Sequence, residues 1–154
     1  MKEEGGKGRK QVQRSEEAFR KIIYELGFYR TQADEIQKQM NSIQLAIEET
    51  EAGLETLKSL RDLKEDALFP VGAGVFVKAR ASDKERVLAD VGARVVAEKK
   101  VEDAIGTLEE RKKELNESLQ NLQNSLGVVL KRIDFLNSKA QEIHSSLEEG
   151  MANV

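Results

Sequence analysis

Cysteine and tryptophan are absent from this chain of 154 residues, and proline occurs once. Without cysteine there is no disulfide framework, no thiol nucleophile and no thiolate metal site. Aromatic residues are scarce as well, two tyrosines and five phenylalanines, too few for the core of a sandwich or barrel of this length. No apolar run approaches the roughly 20 residues needed to cross a bilayer, and the first ten residues lack a signal-type apolar core. The expectation is a cytoplasmic protein without a membrane partner. Neither charge dominates: 25 Lys and Arg face 28 Asp and Glu, a formal −3. That balance speaks against nucleic acid as a partner, and the basic Lys2, Lys7, Arg9 and Lys10 are interrupted by Glu3 and Glu4, as in a frayed tail.

What is abundant is charge, leucine, glutamine and alanine, arranged periodically. From Val12 to Leu57 the positions Phe19, Ile22, Leu26, Tyr29, Ala33, Ile36, Met40, Ile43, Ile47, Thr50 and Leu54 repeat at alternating spacings of three and four. A second register runs from Val101 to Leu147, with Lys112 its single polar member. Two such registers of similar length predict two coiled-coil helices. At 1.5 Å per residue each would extend roughly 70 Å, more than one globular core can cover, so the seams must be buried on each other or on another chain. A compact insert between them predicts an antiparallel pair, with Leu57 near Ile105, Leu26 near Leu136, Tyr29 near Ile133 and Phe19 near Ile143.

Between the registers the period changes to two. Pro70, Gly72, Gly74 and Gly92 punctuate a β-branched segment in which four strands are predicted, about Leu68 to Val71, Val75 to Arg80, Arg86 to Asp90 and Ala93 to Glu98. They form two hairpins with turns at Gly72-Ala73-Gly74 and Val91-Gly92. Val75, Val77, Ala79, Val87, Ala89 and Val95 would form one fully buried face, with Phe76, Leu88 and Val96 among charges on the other. Two-stranded hairpins are marginal alone and leave unpaired edges, so the expectation is oligomerisation through Val71, Val75, Phe76, Val77, Val87, Leu88, Val95 and Val96.

Five of the seven aromatics, Phe19, Tyr24, Phe28, Tyr29 and Phe135, fall in the half of the helices remote from the strands. With Phe19 at heptad position a, Ile23 is e, Tyr24 f, and Phe28 and Phe135 both c, positions that a coiled coil normally gives to charge. Large apolar residues there suggest a binding surface, although isolated exposed apolars are common. Catalytic chemistry finds no support. Gly72-Ala73-Gly74 lacks the further glycine or the Gly-Lys-Ser/Thr of a phosphate loop. The lone His144 has no His or Cys companion, so no metal or cofactor is expected. Gly27, Gly53, Gly106 and Gly127 each cost a helix interior about 1 kcal/mol relative to Ala. They either loosen the helices or allow close helix contact.

The stretch Phe69-Pro70-Val71-Gly72-Ala73-Gly74-Val75-Phe76-Val77-Lys78-Ala79-Arg80, followed by Val87-Leu88-Ala89-Asp90-Val91-Gly92-Ala93-Arg94-Val95-Val96-Ala97-Glu98-Lys99, resembles the middle of the α-type subunits of the prefoldin family. The order helix, two hairpins, helix is also that of the α type, and the likeness covers residues 15 to 150. The resemblance implies an ATP-independent co-chaperone, a hexamer of two α and four β subunits whose strands join in a β-barrel. Its coiled-coil tips would hold unfolded client proteins and pass them to a group II chaperonin. The positions matching the tips are Phe19, Ile22, Ile23, Tyr24, Leu26, Phe28, Phe135, Ile143 and Leu147. The basic N-terminal extension and the four mid-helix glycines fall outside that family pattern.

The expected architecture is therefore α+β: a long antiparallel two-helix coiled coil with two β-hairpins inserted. Its segments are a disordered tail at 1–10, a helix at 11–64, the hairpins at 65–99, a second helix at 100–149 and a frayed end at 150–154. Two alternatives to a chaperone remain. A structural coiled-coil scaffold or adaptor would not need the hairpins, and a nucleic-acid-binding helical arm would need a basic stripe that neither helix carries.

Overall fold

The computed structural model describes the backbone of residues 4–63, 66–90, 92 and 95–152, and side chains within 12–149. Helix α1 runs Glu4–Ser59 and ends in a short 3-10 turn, Leu60–Asp62. Strands β1 (Ala67–Gly72), β2 (Val75–Ala79), β3 (Arg86–Asp90) and β4 (Val96–Lys100) follow, and helix α2 runs Val101–Ala152. Against the expected bounds α1 begins earlier, with Glu4 to Lys10 in the helix, and ends earlier, at Ser59, and α2 runs from Val101 on to Ala152. The chain divides into a terminal unit, residues 1–41 with 120–154, and a central unit, 42–119.

In the terminal unit the two helix segments pair antiparallel around Leu26, Val129 and Leu136, all buried. Phe19 faces His144, one residue from the pairing the heptads predict, and the long side chains of Glu25 and Arg132 meet across the helices from five residues off it. The stripe continues on either side as half-buried Ile22, Tyr29, Ala33, Ile133, Ala140, Ile143 and Leu147. Each fully buried Leu or Val contributes about 1.5–3 kcal/mol, and these contacts are what commits the helices to one register.

The central unit has a core of Ile47, Thr50, Leu54, Leu60, Val101 and Ala104. Thr50 interrupts the apolar seam without cost, because its Oγ1 donates to the carbonyl of Ala46 at 2.7 Å. Lys112 lies along the seam with its stem and carries its ammonium out to Glu51 at 2.7 Å. Lys58 and Glu109 pair at 2.9 Å. At the start of α2, Ala104 is buried more deeply than Ile105. The cause is the β3–β4 hairpin: Ala104, Leu108, Gly53 and Leu57 line one wall of a cleft whose other wall is Val87, Ala89 and Lys99. The helix here serves two neighbours, and the buried stripe rotates accordingly.

β1 and β2 form one antiparallel hairpin and β3 and β4 another, each a separate two-stranded sheet. The first turn has positive φ at Ala73 (50°) and Gly74 (76°), the signature of a two-residue turn that matches the strand twist. The register steps between Pro70 and Gly72, which leaves Val71 as a bulge next to the proline that cannot donate. In the second hairpin Arg86 pairs with Lys100 and Asp90 with Val96, so β4 begins three residues later than predicted. Val95 belongs to the turn, where its N–H donates to Gly92 O at 2.9 Å, and Asp90 Oδ1 accepts from Gly92 N at 2.8 Å. The side-chain hydrogen bonding of Asp90 lengthens the loop beyond what a bare Val-Gly turn would give.

This corrects the predicted faces. Val87 and Ala89 share their side of the sheet with Ala97 and Lys99, and Val95 lies outside the ladder. Only that side is half-buried; Leu88 and Val96 stand on the exposed one. In β1–β2 neither side is covered within the chain: Phe69 and Val77 on one face and Leu68 and Phe76 on the other are all exposed. The fully buried face expected from alternation is thus absent from the single chain.

Two anchors tie the hairpins to their surroundings within this unit. Asp83 Oδ1 accepts from the N–H groups of Glu85 and Arg86 at 2.8 and 3.1 Å, and Val101 N donates to Glu85 O at 2.8 Å. Lys84 donates to the carbonyl of Leu63, beyond the last turn of α1.

Candidate functional site

The terminal unit sorts the expected tip residues into three groups. Leu26 is only 4% exposed and belongs to the seam with Leu136, so it can meet another molecule only when the helices part. Phe19, Ile22, Ile143 and Leu147 are half-buried along the edges of that seam. Ile23, Tyr24, Phe28 and Phe135 are exposed, Tyr24 at 81% and Phe28 at 62%. The helical spacing explains the difference: seam positions a and d face the partner helix, and c, e and f do not.

On α1 the exposed residues gather around Gly27. Ile23, Tyr24, Phe28 and Thr31, with Gly27 among them and Gln32 and Glu35 at one end, line a shallow, largely apolar groove. A Cβ at Gly27 would meet nothing within 4 Å, so close helix packing does not explain it, and the same is true of Gly106 and Gly127. Gly53 is different, because its Cβ would lie 3.4 Å from Leu108 Cδ1. The Thr31 hydroxyl donates to Gly27 O at 3.0 Å and satisfies the backbone that the missing side chain uncovers.

A second group of contacts runs along both helices and is joined across them by Arg132. The Phe28 and Tyr29 rings meet edge to face at 5.5 Å. The Arg132 guanidinium lies 5.8 Å from the Tyr29 centroid and 5.4 Å from that of Phe135, and Lys139 Nζ lies 5.4 Å from Phe135. Glu25 completes the set, accepting from Arg132 Nη2 at 3.2 Å. The roles of Arg132 and Lys139 escape an apolar-pattern search, although their placement one heptad apart beside the seam is legible in the register.

His144 sits with its ring 6.0 Å from Phe19 and Nδ1 3.6 Å from Glu148. No group of three or more metal-binding side chains occurs among the described residues. Among these residues, too, no helix is long and apolar enough to cross a membrane.

In the central unit, Val71, Val75, Phe76, Val77, Leu88, Val95 and Val96 of the expected assembly set are exposed, and Val87 is half-buried. Leu68 and Phe69, outside the expected assembly set, are exposed beside them. Arg80 with Asp66 at 2.6 Å and Arg86 with Glu98 at 2.8 Å frame the apolar strands with exposed ion pairs.

Two long helices joined through two β-hairpins, with exposed apolar side chains outside the seam, define a coiled-coil protein with inserted hairpins. A family model for the prefoldin subunit matches residues 29–146. The alpha prefoldin subunit of Pyrococcus horikoshii is 33% identical over 126 residues, 80% of this chain and 85% of that protein. That of Thermofilum pendens is 32% identical over 117 residues, 75% of this chain and 85% of the relative. A filamentous PFD from Methanocaldococcus jannaschii, determined by cryo-EM, superposes with a TM-score of 0.63 at 25% identity, covering 73% of this chain and 95% of that one. The chain belongs to the prefoldin family, with alpha subunits as its relatives, and is a non-enzymatic subunit of the co-chaperone class.

Proposed function

We propose that this chain is the α-type subunit of an ATP-independent cytoplasmic co-chaperone that captures unfolded proteins on its terminal unit and delivers them to a group II chaperonin. Its partners in this reading are β-type prefoldin subunits, in a hexamer of two α and four β whose strands form a common β-barrel. The observation that carries the reading is the exposed apolar groove of Ile23, Tyr24 and Phe28, with Phe135 exposed on the other helix, in a prefoldin-family chain. Contiguous apolar surface of this kind marks an interaction site, and several weak contacts multiplied over several arms hold a client of no fixed shape. The exposed strands Val75–Ala79 and Arg86–Asp90 supply edges and faces suited to assembly.

The experiment is native mass spectrometry of the chain with a single-hairpin β-type subunit, followed by aggregation suppression without nucleotide and transfer of the client to a group II chaperonin. A hexamer holding two copies of this chain that keeps the client soluble supports the reading; a complex that leaves the client to aggregate refutes it.

A second reading rests on the likeness to a filamentous assembly. Exposed hairpins on a single chain can also join copies of that chain head to tail, and such contacts grow into filaments when the rotation does not close. Negative-stain microscopy of the chain alone separates the two, since filaments without a β-type subunit favour self-assembly.

A further inference from the structure

We propose that the flank formed by Phe28, Tyr29, Arg132, Phe135 and Lys139 makes client capture selective for unfolded segments in which an aromatic residue neighbours a carboxylate. The inference rests on the capture function proposed above and specifies its substrate class.

The five groups form one continuous series, ring to ring to cation to ring to cation, with successive separations of 5.5, 5.8, 5.4 and 5.4 Å. Both ends are accessible, since Phe28 and Phe135 are exposed. A purely apolar surface would accept any hydrophobic segment, whereas here each exposed ring is near a fixed polar or charged group. An incoming aromatic side chain can pack on Phe28 or Phe135, and a carboxylate one or two residues away then falls within reach of Arg132 or Lys139.

Charge complementarity favours that carboxylate. Among the described residues Glu25 is the one carboxylate bonded to either cation, and it engages a single nitrogen of Arg132. A guanidinium carries five donors in a planar fork, so a second carboxylate can bond without displacing the first. Lys139 makes no ion pair among the described residues, and its contact with Phe135 orients the ammonium over the ring face. A segment with lysines beside its aromatics meets the same two cations and is repelled. Selectivity therefore comes from attraction of one charge pattern and rejection of the other.

The test uses the full-length chain in its β-type assembly and three fluorescent unstructured peptides of equal length, with phenylalanines flanked by Asp, by Ser or by Lys. At low salt the Asp-flanked peptide binds about three- to tenfold more tightly than the Ser-flanked one, as one or two exposed charge pairs provide. The advantage disappears at about 0.5 M salt, where such pairs are screened, and Ser-flanked binding persists. Arg132→Gln with Lys139→Gln abolishes the advantage, so that the Asp- and Ser-flanked peptides bind alike. Lys139→Gln alone, which breaks no ion pair, halves it or more, and keeps the test valid should the double variant unfold.

Equal binding of Asp- and Ser-flanked peptides overturns the selectivity while leaving the capture function standing. Failure of every peptide to bind, together with no suppression of aggregation, overturns both. Displacement of the Asp-flanked peptide by single-stranded DNA at equal charge assigns the flank to nucleic acid and overturns the proposal.

Discussion

Gly27 offers the sharpest perturbation, because its physical cost and its place on the surface lead to different results when paired with Gly127. A glycine in a helix interior is less favourable than alanine by about 1 kcal/mol, through backbone freedom lost on folding. At both positions the added methyl meets open space, so no steric penalty offsets the gain. Gly27→Ala and Gly127→Ala should each stabilise the terminal unit by roughly that amount, equivalent to about a fivefold smaller population of locally opened helix. Amide hydrogen exchange followed by mass spectrometry reads this as about fivefold slower exchange in the turns around residues 23–31 and 123–131, respectively. If capture requires the helices to loosen and release Leu26 and Leu136, both variants lose capture in proportion. If it uses the exposed groove of Ile23, Tyr24 and Phe28, only Gly27→Ala changes it, since Gly27 lines the groove and Gly127 does not. Exchange that stays unchanged or accelerates in both variants would refute the reasoning that these glycines hold the helices near opening.

Further outcomes follow from the same geometry. Leu136→Ala removes a side chain that is only 3% exposed, and should lower the melting transition by an amount equivalent to about 2–3 kcal/mol, the lower range for a core leucine because a two-helix seam collapses easily; circular dichroism melts check this. Val77→Asp should leave helix content intact, because Val77 is exposed within the chain, yet block assembly, because burying an unpaired carboxylate between subunits costs several kcal/mol; native mass spectrometry of the mixed subunits would contradict this by showing the full complex. Arg86→Gln, which breaks the exposed pair with Glu98, should change stability by less than about 1 kcal/mol in chemical denaturation. Replacing Tyr24, Phe28 and Phe135 together by serine should weaken aggregation suppression at moderate salt while preserving assembly, and an unassembled product would make those rings structural.

Much of this protein was legible as one-dimensional pattern. The three–four alternation from Val12 to Leu57 and from Val101 to Leu147 determines two helices and, with a compact insert between them, their antiparallel pairing. The observed Phe19–His144 and Glu51–Lys112 contacts follow from it. Gly72-Ala73-Gly74 likewise determines the first turn, since positive φ there excludes most residues. These features are local, and local chemistry is what a sequence records directly.

What the pattern leaves open depends on contacts between elements. The heptads separate Leu26, in the seam, from Phe28, outside it, but how fully each seam residue is covered is set by packing between the helices, which buries Leu26 and leaves Phe19, Ile22 and Ile143 only half-buried. Alternation predicts a buried strand face, yet β1–β2 is bare on both sides within the chain, because burial belongs to whatever packs on it and not to the strand. The start of β4 moved to Val96 because pairing with Asp90, and not propensity, sets where a ladder begins. The aromatic–cation series needs Tyr29 from one helix and Arg132 and Phe135 from the other, so it exists only once the register between them is fixed. Periodicity determined the elements and their order; tertiary structure decided which of their side chains remain available, because exposure is a property of pairs of surfaces.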